Sequence, residues 1–211
     1  MQTVGMKNYW PFYTNVNDVI GGANLYGGIN NGLGYNQLNL PLQAISLNTG
    51  YYKLPSGVYF TGSDFSIMAW VNMKSYNMWS LLVNIGNGAG ADNVYACLSY
   101  QTLGYPVGAV FLGANEYQDY QYTVLPLNQW QHVAWVLKSH VYSIYINGIL
   151  QGTPSTSIPY PNNVVRTSNF LGRGTWTGDV DLHADVDELK IFNVGLTETQ
   201  IQFEMTNQMY N

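Results

Sequence analysis

The chain has 211 residues, of which 9% are charged, 46% hydrophobic and 15% aromatic, against roughly 25% charge in an ordinary soluble domain. Seven Lys and Arg face twelve Asp and Glu, a net charge of −5, which argues against a nucleic-acid partner, since phosphate binding calls for a basic surface. The aromatic content excludes a disordered acidic chain, and no apolar run approaches the ~18 residues of a membrane span.

The length suits one domain over residues 1–211. Met1–Lys7 has no apolar stretch of the kind that opens a secretory leader. A first strand is expected at Tyr9–Tyr13, and Gly21–Gly34, rich in Gly and Asn, reads as an ordered but irregular loop. Gln43–Leu47 is a second strand. In Phe65–Val71 the residues Phe65, Ile67, Ala69 and Val71 alternate with Ser66, Met68 and Trp70, which places the two sets on opposite sheet faces. Strands follow at Leu81–Ile85, Val94–Tyr100, Val107–Leu112 and Tyr120–Val124. Trp130–Leu137, Tyr142–Ile146 and Ile149–Gly152 form a meander, its second turn being Asn147-Gly148, the preferred pair for a two-residue hairpin. Asn169–Gly172, Val180–Val186 and Leu189–Asn193 complete the set. A capping box, Thr197 with Gln200, opens a short C-terminal helix. Many short strands separated by turns point to a β-sandwich. Cys97, the single cysteine, can form no internal disulfide and lies in an alternating strand, as a small buried side chain would. Trp10, Trp70, Trp130 and Trp135 are expected in the core.

Several segments also match a known family, in family order. Gly62–Val71 (GSDFSIMAWV), Trp130–Val136 (WQHVAWV), Tyr145–Gly148 (YING), Phe170–Arg173 (FLGR) and Val186–Asn193 (VDELKIFN) resemble strands of laminin-G-like, concanavalin A-like lectin/glucanase domains. Tyr9–Phe12 and Asp18–Gly22 resemble the opening strand and loop of these domains. Ala184 stands where the family usually has Gly. The resemblance implies an all-β jelly roll: two packed antiparallel sheets, with the short helix at the C-terminus.

Half the aspartates fall within Asp179, Asp181, Asp185 and Asp187, with His183 among them and Glu188 adjacent. Like charges on one strand face repel. Either a hard cation or a solvated acidic face accounts for the cluster. The resemblance implies a structural Ca²⁺ held by Asp18 and Asp187, with the Gly21–Asn24 loop, Asn24 included, and Asp185 as further ligands. Apolar parity flips after Val186, so a bulge is expected there.

Glucanases of similar fold carry a Glu-x-Asp-x-x-Glu strand. None of Glu116, Glu188, Glu198 and Glu204 lies in that motif. The expectation is therefore a non-catalytic extracellular or cell-surface module. Its partner is a glycan or a protein, and no nucleic acid or membrane insertion is expected. Candidate ligand-binding residues are Trp79, Tyr117, Tyr120, Arg173 and Trp176: aromatic faces suit the C–H side of a pyranose, and the same residue types make protein interfaces. Low charge also suits a self-associating structural or adhesive subunit, because few ions oppose close packing of identical chains.

Overall fold

The computed structural model describes residues 4–207. Its elements are all strands except one helix. They are β1 (Met6–Trp10), β2 (Tyr26–Tyr35), β3 (Pro41–Leu54), β4 (Phe65–Met73), β5 (Ser80–Gly86), β6 (Val94–Ser99), β7 (Val107–Leu112) and β8 (Asn115–Tyr120). There follow β9 (Trp130–Lys138), β10 (Val141–Ile146), β11 (Ile149–Ser155), β12 (Ser168–Leu171), β13 (Leu182–Phe192) and α1 (Glu198–Thr206).

The two sheets expected from the sequence are instead two halves of one hydrogen-bonded sheet. Its order is β11-β10-β9-β4-β13-β3-β12-β5-β6-β7-β8, with β1 paired to β13 and β2 to β3. The cause is the length of β3, which runs for 14 residues. Its Ile45–Gly50 stretch pairs with β13 and its Tyr52–Leu54 stretch with β12, so the ladder never breaks between the halves. The far edges nearly close the sheet on itself. Asp119, a buried residue of β8, accepts from Ser155 N at 3.1 Å and Ser155 Oγ at 2.5 Å at the end of β11, and from Gln121 Nε2 at 3.0 Å.

Alternation in β4 sends Phe65, Ile67, Ala69, Val71 and Met73 into the main core with Val133, Trp135 and Leu137 of β9. Fully buried Trp10 and Trp135 keep their indole N–H groups bonded, to Ala23 O at 2.9 Å and Val107 O at 3.1 Å. The opposite face of these strands is also apolar. There Met68, Ala134, Val136 and Phe192 are covered by Leu196 and by Ile201 of α1. Thr197 caps α1, and the capping box with Gln200 is present. The Asn147-Gly148 hairpin forms with φ of 51° and 74°, pairing Ile146 with Ile149.

Two sequence expectations need correction. The irregular loop expected at Gly21–Gly34 is in its second half a strand, β2. It is hard to see in the sequence because its pairing with β3 shifts register three times. A Cβ on Gly28 would stand 1.9 Å from Tyr51 O, so glycine here permits close strand approach. The strand expected at Tyr120–Val124 instead ends at Tyr120. Gly113, with φ 58°, opens a two-residue turn that pairs Leu112 with Asn115 and starts β8 early.

The bulge expected after Val186 is present: Glu188 has φ 55° and the β13–β4 register shifts between Asp187 and Lys190. It turns Glu188 and Lys190 inward, both buried. Tyr9 Oη donates to Glu188 Oε2 at 2.6 Å. Lys190 Nζ donates to Glu204 O and Asn207 O at 3.0 Å each and to Glu204 Oε2 at 3.1 Å. A buried cation thus holds the carbonyl end of α1 to the sheet, where the helix dipole also favours positive charge. Replacing Lys190 with Ala strands buried acids, and Lys190→Ala is expected to cost ~3–5 kcal/mol in urea denaturation. A loss below ~1 kcal/mol would mean that α1 docks without it.

Candidate functional site

Strands β6 and β7 are buried from end to end except at Leu112. Val94, Ala96, Leu98 and Val110 enter the main core. Tyr95, Cys97, Val107, Ala109 and Phe111 point the other way, and with Leu81 they form a separate apolar cluster. The cross-strand pairs Cys97–Val107, Tyr95–Ala109, Ala109–Gln118 and Val107–Tyr120 set small residues at the centre of this face and larger ones around them. Over that face pack Trp79, Tyr100, Tyr105, Tyr120 and Trp176, all partly exposed.

The result is a cleft of about 610 Å³. Its aromatic lining is Trp79, Tyr95, Tyr100, Phe111, Tyr120 and Trp176, and its polar lining includes Glu116, Gln118 and Asp179. The rings meet mostly edge to face. Trp79 and Tyr100 lie 4.8 Å apart at 82°, Tyr95 and Trp176 5.9 Å at 86°, and Tyr100 and Tyr120 5.0 Å at 85°. Such pairs hold each other's orientation, so the cleft is preformed. Tyr95 Oη donates to Glu116 Oε1 at 2.9 Å and accepts from Gln118 Nε2 at 2.6 Å. Gln118 also bonds Glu116 directly. Asp179 Oδ2 accepts a long 3.4 Å bond from Trp176 N. Burial raises the Asp179 carboxyl to about 6, against the opposing Trp176 N–H.

Of the residues expected from sequence to bind a ligand, Trp79, Tyr120 and Trp176 line this cleft. Tyr117 and Arg173 lie outside its lining. On β8, Glu116, Gln118 and Tyr120 face the cleft, so alternation turns Tyr117 away. Arg173 is held elsewhere, by two 2.7 Å bonds to Asp181 and by its guanidinium 3.5 Å above the Tyr51 ring. Sequence reasoning missed Tyr95, Tyr100, Phe111, Glu116, Gln118 and Asp179. The available signal was that the VYACLS and VGAVFL strands are apolar on both faces, with no helix pattern nearby to cover the second.

The residues expected to hold Ca²⁺ do not fit that ion. Asp18 Oδ1 accepts from Tyr9 N, Ile20 N and Gly21 N at 2.9, 3.0 and 2.9 Å. Its Oδ2 accepts from Asn8 Nδ2 at 2.6 Å and Ala23 N at 2.9 Å. Five donors fill a carboxylate with about four lone-pair sites, and their positive ends face the place a cation would take. Burial opposes ionisation of Asp18, yet the Tyr9 N–H, Asn8 and the other donors outweigh it and hold the carboxyl below its ordinary value. Asn24 Oδ1 is occupied by Asp18 N at 3.0 Å, and Asp185 pairs with Lys74 at 2.7 Å. Asp187 is 1% exposed. Burial, then the Glu188 charge, pushes it up to about 8, against the Glu188 N–H, Lys190 and Gln37. Among the described residues no three His, Cys, Asp or Glu side chains are grouped to hold a metal ion. His132, also buried, is pushed down to about 3, by burial first and then by Lys190.

The family described as the concanavalin A-like lectin/glucanases superfamily (Laminin_G_3) matches residues 47–202. The chain belongs to this family. No curated protein sequence matches this laminin-G-like chain. Solved structures share its fold at low identity. Domain 4 of AbnA, an extracellular GH43 arabinanase from Geobacillus stearothermophilus in complex with arabinotriose, is 20% identical at a TM-score of 0.74, over 95% of this chain and 98% of that domain. The binding domain of Paraclostridial Mosquitocidal Protein 1 is 15% identical at 0.67, over 94% of this chain and 51% of that one. Botulinum neurotoxin type C, whose cell entry depends on two ganglioside molecules, is 11% identical at 0.69, over 98% and 52%. The laminin-G-like chain thus spans about half of each toxin chain.

Two outcomes follow from the buried acids. A chelator is expected to leave the melting temperature unchanged, whereas Asp18→Ala orphans several N–H groups and costs ~2–4 kcal/mol. A chelator-induced fall of several degrees would restore the ion. Folded Asp187 keeps a proton that the unfolded chain, with its ordinary value of 3.8, releases. The folded state therefore binds more protons between about pH 4 and 8, and Asp187 makes stability fall as pH rises through that window. Asp187→Asn copies the protonated form. Between pH 5 and 8 its melting temperature should fall less than that of the parent, by a few degrees at ~2–4 °C per kcal/mol. Parallel melting curves would refute the assignment.

Proposed function

We propose that the protein is a non-catalytic extracellular glycan-binding module, and that the cleft between Trp79, Tyr120 and Trp176 receives the sugar. The observation that carries this reading is the make-up of the cleft: partly exposed rings beside Glu116, Gln118 and Asp179. Sugar rings present apolar C–H faces and a rim of hydroxyls, so a site for them combines aromatic faces with a few convergent polar groups. A volume of about 610 Å³ suits a short oligosaccharide segment. Support comes from structures of the same fold. The arabinanase domain is in complex with arabinotriose, and the type C neurotoxin depends on gangliosides. The extracellular setting of the arabinanase supports the same setting here. Among the described residues no helix is long and apolar enough to cross a membrane.

In this reading the rings take up the sugar faces, while Glu116 and Gln118, fixed by Tyr95, and Asp179 accept or donate to hydroxyls. Nothing in the role requires bond cleavage. The test is calorimetric titration against a panel of neutral, amino and acidic oligosaccharides, followed by mass spectrometry of the recovered sugar. Binding should weaken tenfold or more in Trp176→Ala, where each decade is ~1.4 kcal/mol, and the sugar should return uncut. Absence of binding across the panel would overturn the glycan reading, and shortened oligosaccharides would overturn the non-catalytic one.

A further inference from the structure

The cleft combines two features that together suit a cationic sugar better than a neutral one. It contains two carboxylates, Glu116 and Asp179, and none of its lining residues is cationic. Elsewhere four acids are matched with cations, Asp181 with Arg173, Asp185 with Lys74, and Glu188 and Glu204 with Lys190, and the buried Asp18 and Asp119 are filled by hydrogen-bond donors of the fold itself. Neither cleft carboxylate makes an ion pair among the described residues. Glu116 is bonded by the neutral groups of Tyr95 and Gln118, and Asp179 by one long backbone bond.

The second feature is the aromatic wall. Ring faces are the negative side of an aromatic quadrupole and attract ammonium groups. Near-perpendicular pairs such as Trp79 with Tyr100 and Tyr95 with Trp176 turn faces in more than one direction. Low-dielectric walls also focus the field of the two carboxylates into the cleft, and the net charge of −5 adds to it.

From this geometry we infer that the cleft selects glycans bearing free amino groups, such as glucosamine oligomers, and rejects acidic ones. The inference rests on the glycan reading and deepens it. A protonated amine meets the unmatched carboxylates in charge-assisted hydrogen bonds and the rings in cation–π contact. An N-acetylated sugar offers neither, and a uronate meets like charge. Tyr120, Trp176 and their neighbours still stack on any of these sugars, so selection resides in the charge.

The experiment compares a glucosamine tetramer, its fully N-acetylated counterpart, a galacturonate tetramer and tetralysine by calorimetric titration at pH 6.5 in low salt. The glucosamine tetramer should bind at least tenfold tighter than the acetylated one, with no detectable galacturonate binding. The ratio should shrink in high salt, since screening acts on the charge. It should approach one in Glu116→Gln/Asp179→Asn, whose folding is checked by near-UV circular dichroism. Glu116→Gln and Asp179→Asn alone should each lower the ratio, which keeps the test open if the double variant does not fold. Equal or tighter binding of the acetylated tetramer overturns the charge selection and leaves the glycan reading intact. Tighter binding of tetralysine overturns the sugar as the source of the amine. If none of these sugars binds, the amino-sugar inference falls, and the glycan reading falls with it only if the neutral oligosaccharides of the panel also fail to bind.

Discussion

Strands β6 and β7 have apolar side chains on both faces, and only one face can enter the core. The other half of the sheet solves the same problem with backbone, since α1 lies over Met68, Ala134 and Val136. Over Tyr95, Cys97, Val107 and Ala109 there is no helix among the described residues, and aromatic side chains provide the cover. Rings shield apolar surface while presenting edges and faces to solvent. The cleft is therefore a product of packing, and its ability to receive a ligand follows from how the second face is shielded.

The surface carries still less charge than the composition implies. Asp18, Asp119, Arg166, Asp187, Glu188, Lys190 and Glu204 are all buried, a large share of 7 Lys and Arg and 12 Asp and Glu. They act as internal hubs. Asp18 gathers the N–H groups of the opening loop, and Asp119 joins the sheet edges. Arg166 is fully buried and donates to Asp92 O at 2.8 Å and Asn162 O at 3.0 Å. Ionisable groups used in this way are absent from the surface, so an acidic group left in an exposed cleft weighs more heavily in the local field than it would on an ordinary protein.

Much of the fold was legible because period-2 alternation and turn chemistry are local. The Asn147-Gly148 hairpin, the Thr197 capping box and the parity flip after Val186 all stand where the sequence puts them. What it did not disclose depends on distant pairing. β2 is a strand only because β3 lies beside it, and the joining of two sheets into one depends on a single long strand finding two partners. The cleft was half legible. Trp79 and Trp176 are candidates from the sequence itself, but Tyr95 and Phe111 lie in apolar strands and carry no such signal, because facing outward under a covering layer leaves the same apolar pattern as facing inward. The acidic cluster misled for a comparable reason: Asp185 is paired by Lys74, just past β4, and Asp187 is bonded by Gln37 of the β2–β3 connection as well as by the neighbouring Glu188 N–H, so the deciding partners lie far off in sequence.

Cys97 sits fully buried in the cluster beneath those rings, its Sγ bonded to Ser99 O at 3.2 Å. Burial pushes the thiol far up, against the Ser99 contact, so it is inert while the layer is closed. Its alkylation therefore waits on a fluctuation that lifts the layer. The only sulfhydryl of the chain is thus a clock for the breathing of its cleft, and a ligand that clasps the rings would slow that clock.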